Sequence, residues 1–182
     1  MLKCKKKLIL PADEISLAWK IYTDCFSGQE LTCVQNQICF NKDNFIQAME
    51  DKEWIKFMLY SDDVLIGLSV TTKNLEKGRI GYINPEFLIT KYPEYAGRIY
   101  YTLIICVMPS YKKTKGILWL ITNLLNHITN DGGMVFCDFN YNKNRHLPGL
   151  IVSIMNKIKE TKRRYTSDII DSQMYVAIKS EL

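Results

Sequence analysis

Between Arg98 and Phe139 the chain changes its hydrophobic period twice, and that change restricts the fold more than any other stretch. Arg98–Met108 is dense in aromatic and β-branched residues, the composition of a half-buried strand, and Pro109 ends it. Ile117, Leu120, Ile121, Leu124, Leu125 and Ile128 then recur at the spacing of one helix face, and Gly132-Gly133 closes that helix. Met134–Phe139 reads again as a strand. Strand, amphipathic helix and strand in this order form a β-α-β unit, whose two strands are parallel and whose crossover is right-handed.

The flanking segments add elements of the other kind. Trp54–Tyr60, the Ser61-Asp62-Asp63 turn and Val64–Thr72 read as a β-hairpin, with Gly67 marking a bulge or a close backbone approach. Before it, Lys7–Leu10 predicts a short strand. Pro11-Ala12-Asp13-Glu14 opens a helix that carries Ile15, Trp19, Tyr22 and Phe26 on one face and ends at Gly28. Asp43–Glu53 predicts a second helix, with Phe45, Ile46 and Met49 inward. Residues 73–97 hold turn signals and one short helix near Glu86–Thr90. Pro148–Lys159 predicts a last helix with Leu150, Ile151, Ile154, Met155 and Ile158 inward, followed by strands at Ser167–Ile170 and Gln173–Ile178. The expected fold class is α/β (α+β): a mixed, mostly antiparallel sheet of six to seven strands with helices on both faces. No linker or repeat divides the 182 residues, so residues 1–182 are expected to form a single domain.

Composition narrows the compartment and the chemistry. Six cysteines occur without C-x-x-C spacing, and there are two histidines, so no zinc site is expected. Met1–Lys7 is basic but no long apolar stretch follows it, and no apolar run approaches the roughly 20 residues that cross a bilayer. The expectation is a reduced, cytoplasmic protein without membrane contact. The net charge of +5 favours polyanionic partners, whether a nucleic acid or a phosphate-bearing cofactor.

The loop Lys112-Lys113-Thr114-Lys115-Gly116-Ile117 joins the strongest strand to the strongest helix. A loop entering a helix presents unpaired N–H groups, and the helix dipole adds about half a positive charge there. Such a corner binds a diphosphate. Lys112, Lys113 and Lys115 supply cations suited to a nucleotide with an extra phosphate, and Gly116 has no Cβ to block close approach. The P-loop pattern is absent.

The element order and this corner resemble the GNAT acetyltransferase superfamily over nearly the whole chain. The family's strand ends V-x-P-x-Y and continues R/Q-x-x-G-x-G/A into a helix. Here Val107-Met108-Pro109-Ser110-Tyr111-Lys112 stands in the first part, Lys112 takes the Arg/Gln position, lysines occupy glycine-like positions, and Gly116 comes one place late. The resemblance implies acetyl-CoA as cosubstrate and no metal. It implies transfer of the acetyl group to a primary amine by direct attack. It implies a backbone N–H within Ile105-Cys106-Val107 that polarises the thioester, and Asn140 or Asn142 on the pantetheine arm. The family's tyrosine acid is absent from the last helix, which leaves Tyr141 as the nearest candidate. Asp138, Glu86 and Glu94 are the candidate carboxylate bases. His146 is read as a helix-start or surface residue, and His127 as structural. Tyr100 and Tyr101 face opposite sides of their strand, one into the core and the other towards the acceptor.

Three readings stay open on these residues: an N-acetyltransferase, a GNAT-like domain that binds coenzyme A or protein without catalysis, and a basic nucleic-acid module. For the third, Lys3, Lys5, Lys6, Lys7 and the Lys159–Arg164 run form basic patches, without interleaved aromatics. The acceptor, a small-molecule amine or a protein amine, is not readable, nor is the oligomeric state, a homodimer included.

Overall fold

A computed structural model describes residues 1–26, 40–77, 84–111, 115–138, 146–157 and 166–170, with the side chains of Ile154 and Met155 outside the description. Among these residues five strands form one sheet in the order β1-β2-β3-β4-β5. The strands are β1 (Leu2–Lys7), β2 (Trp54–Ser61), β3 (Val64–Thr72), β4 (Ile99–Val107) and β5 (Met134–Phe136). Pairings are antiparallel except β4 with β5, which is parallel. The helices are α1 (Ala12–Phe26), α2 (Lys42–Glu50), α3 (Pro85–Lys91), α4 (Gly116–Asn130) and α5 (Leu147–Lys157). The β4-α4-β5 unit and the mixed sheet follow the sequence reading.

Local chemistry fixes the elements. Asp62 and Asp63 adopt φ of 48° and 65°, the geometry of a two-residue hairpin turn that matches the twist of β2 and β3. Asn41 Oδ1 accepts the Asn44 N–H at 2.9 Å and starts α2. Asn84 Oδ1 accepts the Glu86 N–H at 2.9 Å, with Pro85 in the first turn of α3. At the end of α4 the Gly133 and Gly132 amides donate to the Ile128 and Thr129 carbonyls at 2.8 and 3.0 Å, a Schellman closure.

The core lies on both faces of the sheet. On one, α1 and α2 pack aromatic rings against β2, β3 and β4: Trp19, Tyr22, Phe40, Phe45 and Trp54 form a chain of ring contacts with centroids 5.2–6.3 Å apart. Each such pair adds about 0.5–1.5 kcal/mol beyond its buried area. On the other face, Leu120, Leu124 and Ile128 of α4 cover Phe57, Leu59, Ile66, Tyr100 and Val107. Lys56 is fully buried on the aromatic side, and its ammonium donates to the Leu8 and Asp51 carbonyls at 2.7 Å each. Burial pushes this lysine down to about 8.

Several expectations are corrected. The first strand is Leu2–Lys7, not Lys7–Leu10. Its lysines, the usual guard of an edge strand, break up the apolar pattern, while Leu8 and Ile9 stand 46% and 60% exposed in the turn that follows. Strand β5 stops at Phe136 rather than Phe139. Ser167–Ile170 forms no strand, so the described sheet has five strands rather than six or seven; the expected Gln173–Ile178 strand lies outside the described residues. Leu150, expected inward on the last helix, is 55% exposed, and Ile117 at the start of α4 is 40% exposed. Both sit in a first turn, before the helix has run under its neighbours. The second helix ends at Glu50 because the chain turns at Asp51, whose carbonyl holds Lys56.

Candidate functional site

The site begins as a fork in the sheet. Strand β4 pairs with β5 only through Ile99↔Met134, Tyr100↔Val135 and Tyr101↔Phe136, while it stays paired with β3 as far as Val107. Cys137 and Asp138 leave the ladder. From Leu103 upward the β5 side of β4 therefore has no neighbouring strand among the described residues. The register with β3 slips at the same level: Val70 faces Ile104 but Thr71 faces Thr102, so Leu103 is the extra residue of a β-bulge. The backbone group displaced by the bulge finds a side chain instead. Thr71 Oγ1 donates to the Tyr101 carbonyl at 2.9 Å, and Thr102 Oγ1 lies 3.2 Å from Thr71 Oγ1.

Above the bulge the hydrogen-bond alternation decides which peptide groups face the fork. The Met108 N–H donates to the Ile66 carbonyl at 2.8 Å. Gly67↔Val107 is then a wide, non-hydrogen-bonded pair, as is Ser69↔Ile105, and the peptide groups of Val107 and Ile105 turn away from β3. Cys25, at the end of α1, closes part of this edge: its Sγ–H donates to the Val107 carbonyl at 3.2 Å. The hydrogen bond with Cys25, and burial, push the Cys106 thiol well above its usual value.

Strand β4 runs into the expected corner. Pro109–Tyr111 makes one 3-10 turn, with the Tyr111 N–H on the Met108 carbonyl at 2.8 Å, and α4 starts at Gly116. Lys115, the residue before it, is exposed and provides no side-chain cap to the helix. Gly116 is buried. Of the expected cofactor residues, the structure thus gathers Cys106, Val107, Lys115, Gly116 and Ile117 between the β4 end and the first turn of α4. Lys112, Lys113, Thr114, Asn140, Asn142 and the expected acid Tyr141 lie outside the described residues.

The closed end of the fork carries a contact that the sequence reading did not find. The Tyr101 hydroxyl donates to Asp138 Oδ1 at 2.8 Å. Tyr101 is buried under the Phe136 ring, 5.4 Å between centroids, whereas Asp138 is exposed. Asp138 comes two positions after Phe136, so its side chain falls on the face that Phe136 and Tyr101 occupy. Tyr100 points to the opposite face. Its hydroxyl donates to Asp131 at 2.6 Å, Lys73 Nζ lies 3.3 Å from the same carboxylate, and burial first, then Asp131, pushes the phenol well above its usual value.

The other candidates are placed elsewhere. Glu86 is in the first turn of α3 and Glu94 in the 3-10 turn Pro93–Tyr95, both exposed on the connection before β4. His146 precedes α5, where its carbonyl accepts the Leu150 N–H at 3.0 Å. His127 lies inside α4 against Phe57 and Tyr100. The amino-terminal lysines all contact protein groups: Lys7 meets Glu14 at 2.6 Å, Lys5 sits 4.9 Å over the Tyr60 ring, Lys3 is 3.5 Å from Asp63, and Lys6 is 3.5 Å from His127 Nδ1. Lys159–Arg164 lies outside the described residues. Among the described residues no cluster of His, Cys, Asp and Glu could hold a metal, and no helix is long and apolar enough to cross a membrane.

No family model matches the sequence, and no curated protein sequence matches it either. Solved structures do resemble it. The ribosomal-protein-S18-alanine N-acetyltransferase from Escherichia coli superposes with a TM-score of 0.55 at 9% identity, covering 87% of this chain and 77% of that one. An aminoglycoside acetyltransferase from an uncultured soil metagenomic sample, in complex with trehalose, gives 0.52 at 11% identity over 98% and 97%. Aminoglycoside N-acetyltransferase AAC(6')-Iy, in complex with CoA, gives 0.52 at 12% over 94% and 96%. With its forked mixed sheet and the β4 end leading into α4, the chain has the fold of the GNAT acetyltransferases.

Proposed function

We propose that the chain is an N-acetyltransferase that takes its acetyl group from acetyl-CoA and passes it to a primary amine. The observation that carries this reading is the fork: the peptide groups of Ile105 and Val107 turn away from β3, on the strand that leads into α4. The fold shared with an acetyltransferase in complex with CoA supports it. Acetyl-CoA supplies an already activated thioester. The diphosphate would be held by Lys112, Lys113, Thr114, Lys115 and the first amides of α4 at Gly116 and Ile117. The pantetheine arm would run down the fork along Cys106 and Val107, with Asn140 and Asn142 on its other side. An N–H in the Ile105–Val107 stretch would polarise the thioester carbonyl, donating to the oxygen as charge builds on it. Tyr141 is the candidate proton donor to the departing thiolate.

Thermal unfolding with acetyl-CoA, with dephospho-CoA and with a DNA oligomer tests the reading. Acetyl-CoA at ~100 times its dissociation constant stabilises by about 2.7 kcal/mol, which raises Tm by roughly 5–10 °C at this chain length. Dephospho-CoA should give a smaller shift and DNA none, and thiol release should follow when amines are added. No shift with acetyl-CoA ends the proposal; a shift without thiol release over a broad amine panel leaves a binding domain.

A further inference from the structure

The fork has a closed end at Tyr101↔Phe136 and an open one at Val107, and the open one carries two sulfurs in contact. Cys106 sits on the β4 face that α1 and α2 cover, buried with Leu68 and Ile104. Cys25, in the last turn of α1, is half-buried and packs against the same cluster. Its Sγ–H reaches the Val107 carbonyl at 3.2 Å, one residue beyond Cys106, and its sulfur also shares a hydrogen bond with the Cys106 thiol. The sequence gives no C-x-x-C hint of this pair, because the packing of α1 on β4 assembles it. A half-buried thiol alone can only be capped by a disulfide reagent. A second thiol in contact with it can expel the cap.

We propose that Cys25 and Cys106 form a modification site for low-molecular-weight disulfides, which enter at Cys25 and leave behind an internal Cys25–Cys106 bond. The Cys25 thiol gives its proton to solvent, and its thiolate attacks one sulfur of the reagent RSSR. A Cys25–S–S–R bond forms, the S–S bond of the reagent breaks, and RS⁻ leaves and takes up a proton. Cys106 then loses its proton, and its sulfur attacks Cys25 Sγ. The Cys25–Cys106 bond forms, and the second RS⁻ leaves and takes up a proton. The sum is two protein thiols and one disulfide reagent giving one protein disulfide and two RSH. The protein is oxidised by two electrons and the reagent is reduced. The order follows from the surroundings. Cys25 is the sulfur that a reagent can reach. Cys106 is held protonated, first by its hydrogen bond with Cys25 and then by burial, and capping Cys25 removes the first of these causes.

Oxidation also alters the wall of the fork. The Cys25 S–H that donates to the Val107 carbonyl is consumed, and the last turn of α1 is tied to β4 at Cys106 instead. The modification itself stands apart from the acetyl-transfer reading above. Its effect on acetyl-CoA rests on that reading, which runs the pantetheine arm along Cys106 and Val107.

The test is to incubate the full chain with oxidised glutathione, map the products by mass spectrometry without reduction, and titrate acetyl-CoA into the reduced and oxidised forms. The expected product links Cys25 to Cys106 and is lost on adding dithiothreitol. Cys106→Ala should instead accumulate glutathione on Cys25, since nothing remains to expel it, and Cys25→Ser should leave Cys106 unmodified. The oxidised chain should lose acetyl-CoA affinity and regain it with dithiothreitol, a cycle that Cys25→Ser should not show. Cys25 linked to a different cysteine, glutathione found first on Cys106, or an unreacted Cys25 overturns the site. A Cys25–Cys106 bond with acetyl-CoA affinity unchanged overturns its effect on the wall. A chain that forms the bond but binds no acetyl-CoA when reduced sinks the acetyl-transfer reading and leaves the modification site standing.

Discussion

The two ends of β4 are built on different principles. At its beginning, Ile99–Tyr101 is paired with β5, Tyr101 also with Thr72 of β3, and both tyrosine hydroxyls are bonded to carboxylates, Tyr100 to Asp131 and Tyr101 to Asp138. At its end, Leu103–Val107 keeps β3 alone as a neighbouring strand among the described residues, carries a bulge, and turns the peptide groups of Ile105 and Val107 away from β3. The first end is joined to β5 and tied by two side-chain hydrogen bonds. The second is, among the described residues, a half-ladder on β3, with the Val107 carbonyl taken up by Cys25. A single strand thus serves as an anchor over its first third and as one wall of the proposed site over the rest. The Leu103 bulge lies just above the point where the two regimes meet.

Each end also rests on one glycine, so the same insult can be applied to both. A Cβ at Gly67 would come 2.7 Å from the Cys106 carbonyl oxygen and 3.2 Å from Val107 Cα, at the open end. A Cβ at Gly133 would come 2.7 Å from the Arg98 carbonyl oxygen and 2.8 Å from the Tyr100 ring, at the closed end. In both cases the nearest obstacle is backbone, which must shift. Gly67→Ala and Gly133→Ala should each destabilise by about 1–3 kcal/mol, read as a Tm loss of roughly 2–4 °C per kcal/mol. The consequences for acetyl-CoA should diverge. Gly67→Ala displaces the Cys106–Val107 wall and should weaken binding well beyond its stability cost. Gly133→Ala should leave the affinity of the folded protein intact. Equal loss of affinity in the two variants would erase the distinction between the ends.

The sequence made the anchor more legible than the wall. Hairpin β2–β3, strand β4 and helix α4 announce themselves through local period and turn residues, and Gly67 was readable as a bulge or close approach; it is both, since the register of β2 and β3 slips beside it. Strand β1 was misplaced because its lysines serve the edge of the sheet rather than the core. The bulge at Leu103 leaves no mark in a continuous apolar run, because it depends on which β3 residue each β4 residue meets. The Tyr101–Asp138 bond joins residues 37 apart. Alternation told that Tyr100 and Tyr101 part to opposite faces, but only the parallel register Tyr101↔Phe136 says which of them meets Asp138. The signal that would have found it is the two-residue step from Phe136 to Asp138, read once that register is known.

The closed end can next be loosened on one face only. Tyr100→Phe deletes the hydroxyl that donates to Asp131 and retains the ring beneath α4. The loss should be about 1 kcal/mol at neutral pH. It carries a pH signature. The hydrogen bond from Tyr100, followed by those from Lys73, holds Asp131 below the usual carboxylate value. A depressed carboxylate stabilises the fold above its unfolded value and loses that contribution as pH falls through the folded one. The Tm difference between the unmodified chain and Tyr100→Phe should therefore shrink in acid, and acetyl-CoA binding should not change. A difference that stays constant down to acid pH would mean that the bond contributes through packing rather than through the charge.

The smallest expected effect belongs to His127, which packs over the same closed end from α4. Its ring meets Phe57 at 5.7 Å and Tyr100 at 5.8 Å, its Nε2 is buried with no hydrogen-bond partner among the described residues, and Nδ1 lies 3.5 Å from Lys6 Nζ. Burial first, then the Lys6 charge, lowers the imidazole below its ordinary 6.5; Lys73 acts in the same direction and Asp131 against it. Above 6.5 neither folded nor unfolded chain carries a proton there. As pH falls below that value the unfolded chain takes one up first, so stability declines until the folded imidazole protonates too. His127→Phe keeps the ring contacts, removes the orphan N–H and should flatten this part of the Tm–pH curve between about pH 7 and 5. His127 packs at the closed end against Phe57 and Tyr100, so acetyl-CoA affinity should be the same in both proteins across that range. An affinity that tracked the His127 titration would show the two ends to be coupled, and would replace the anchor-and-wall division with a single cooperative strand.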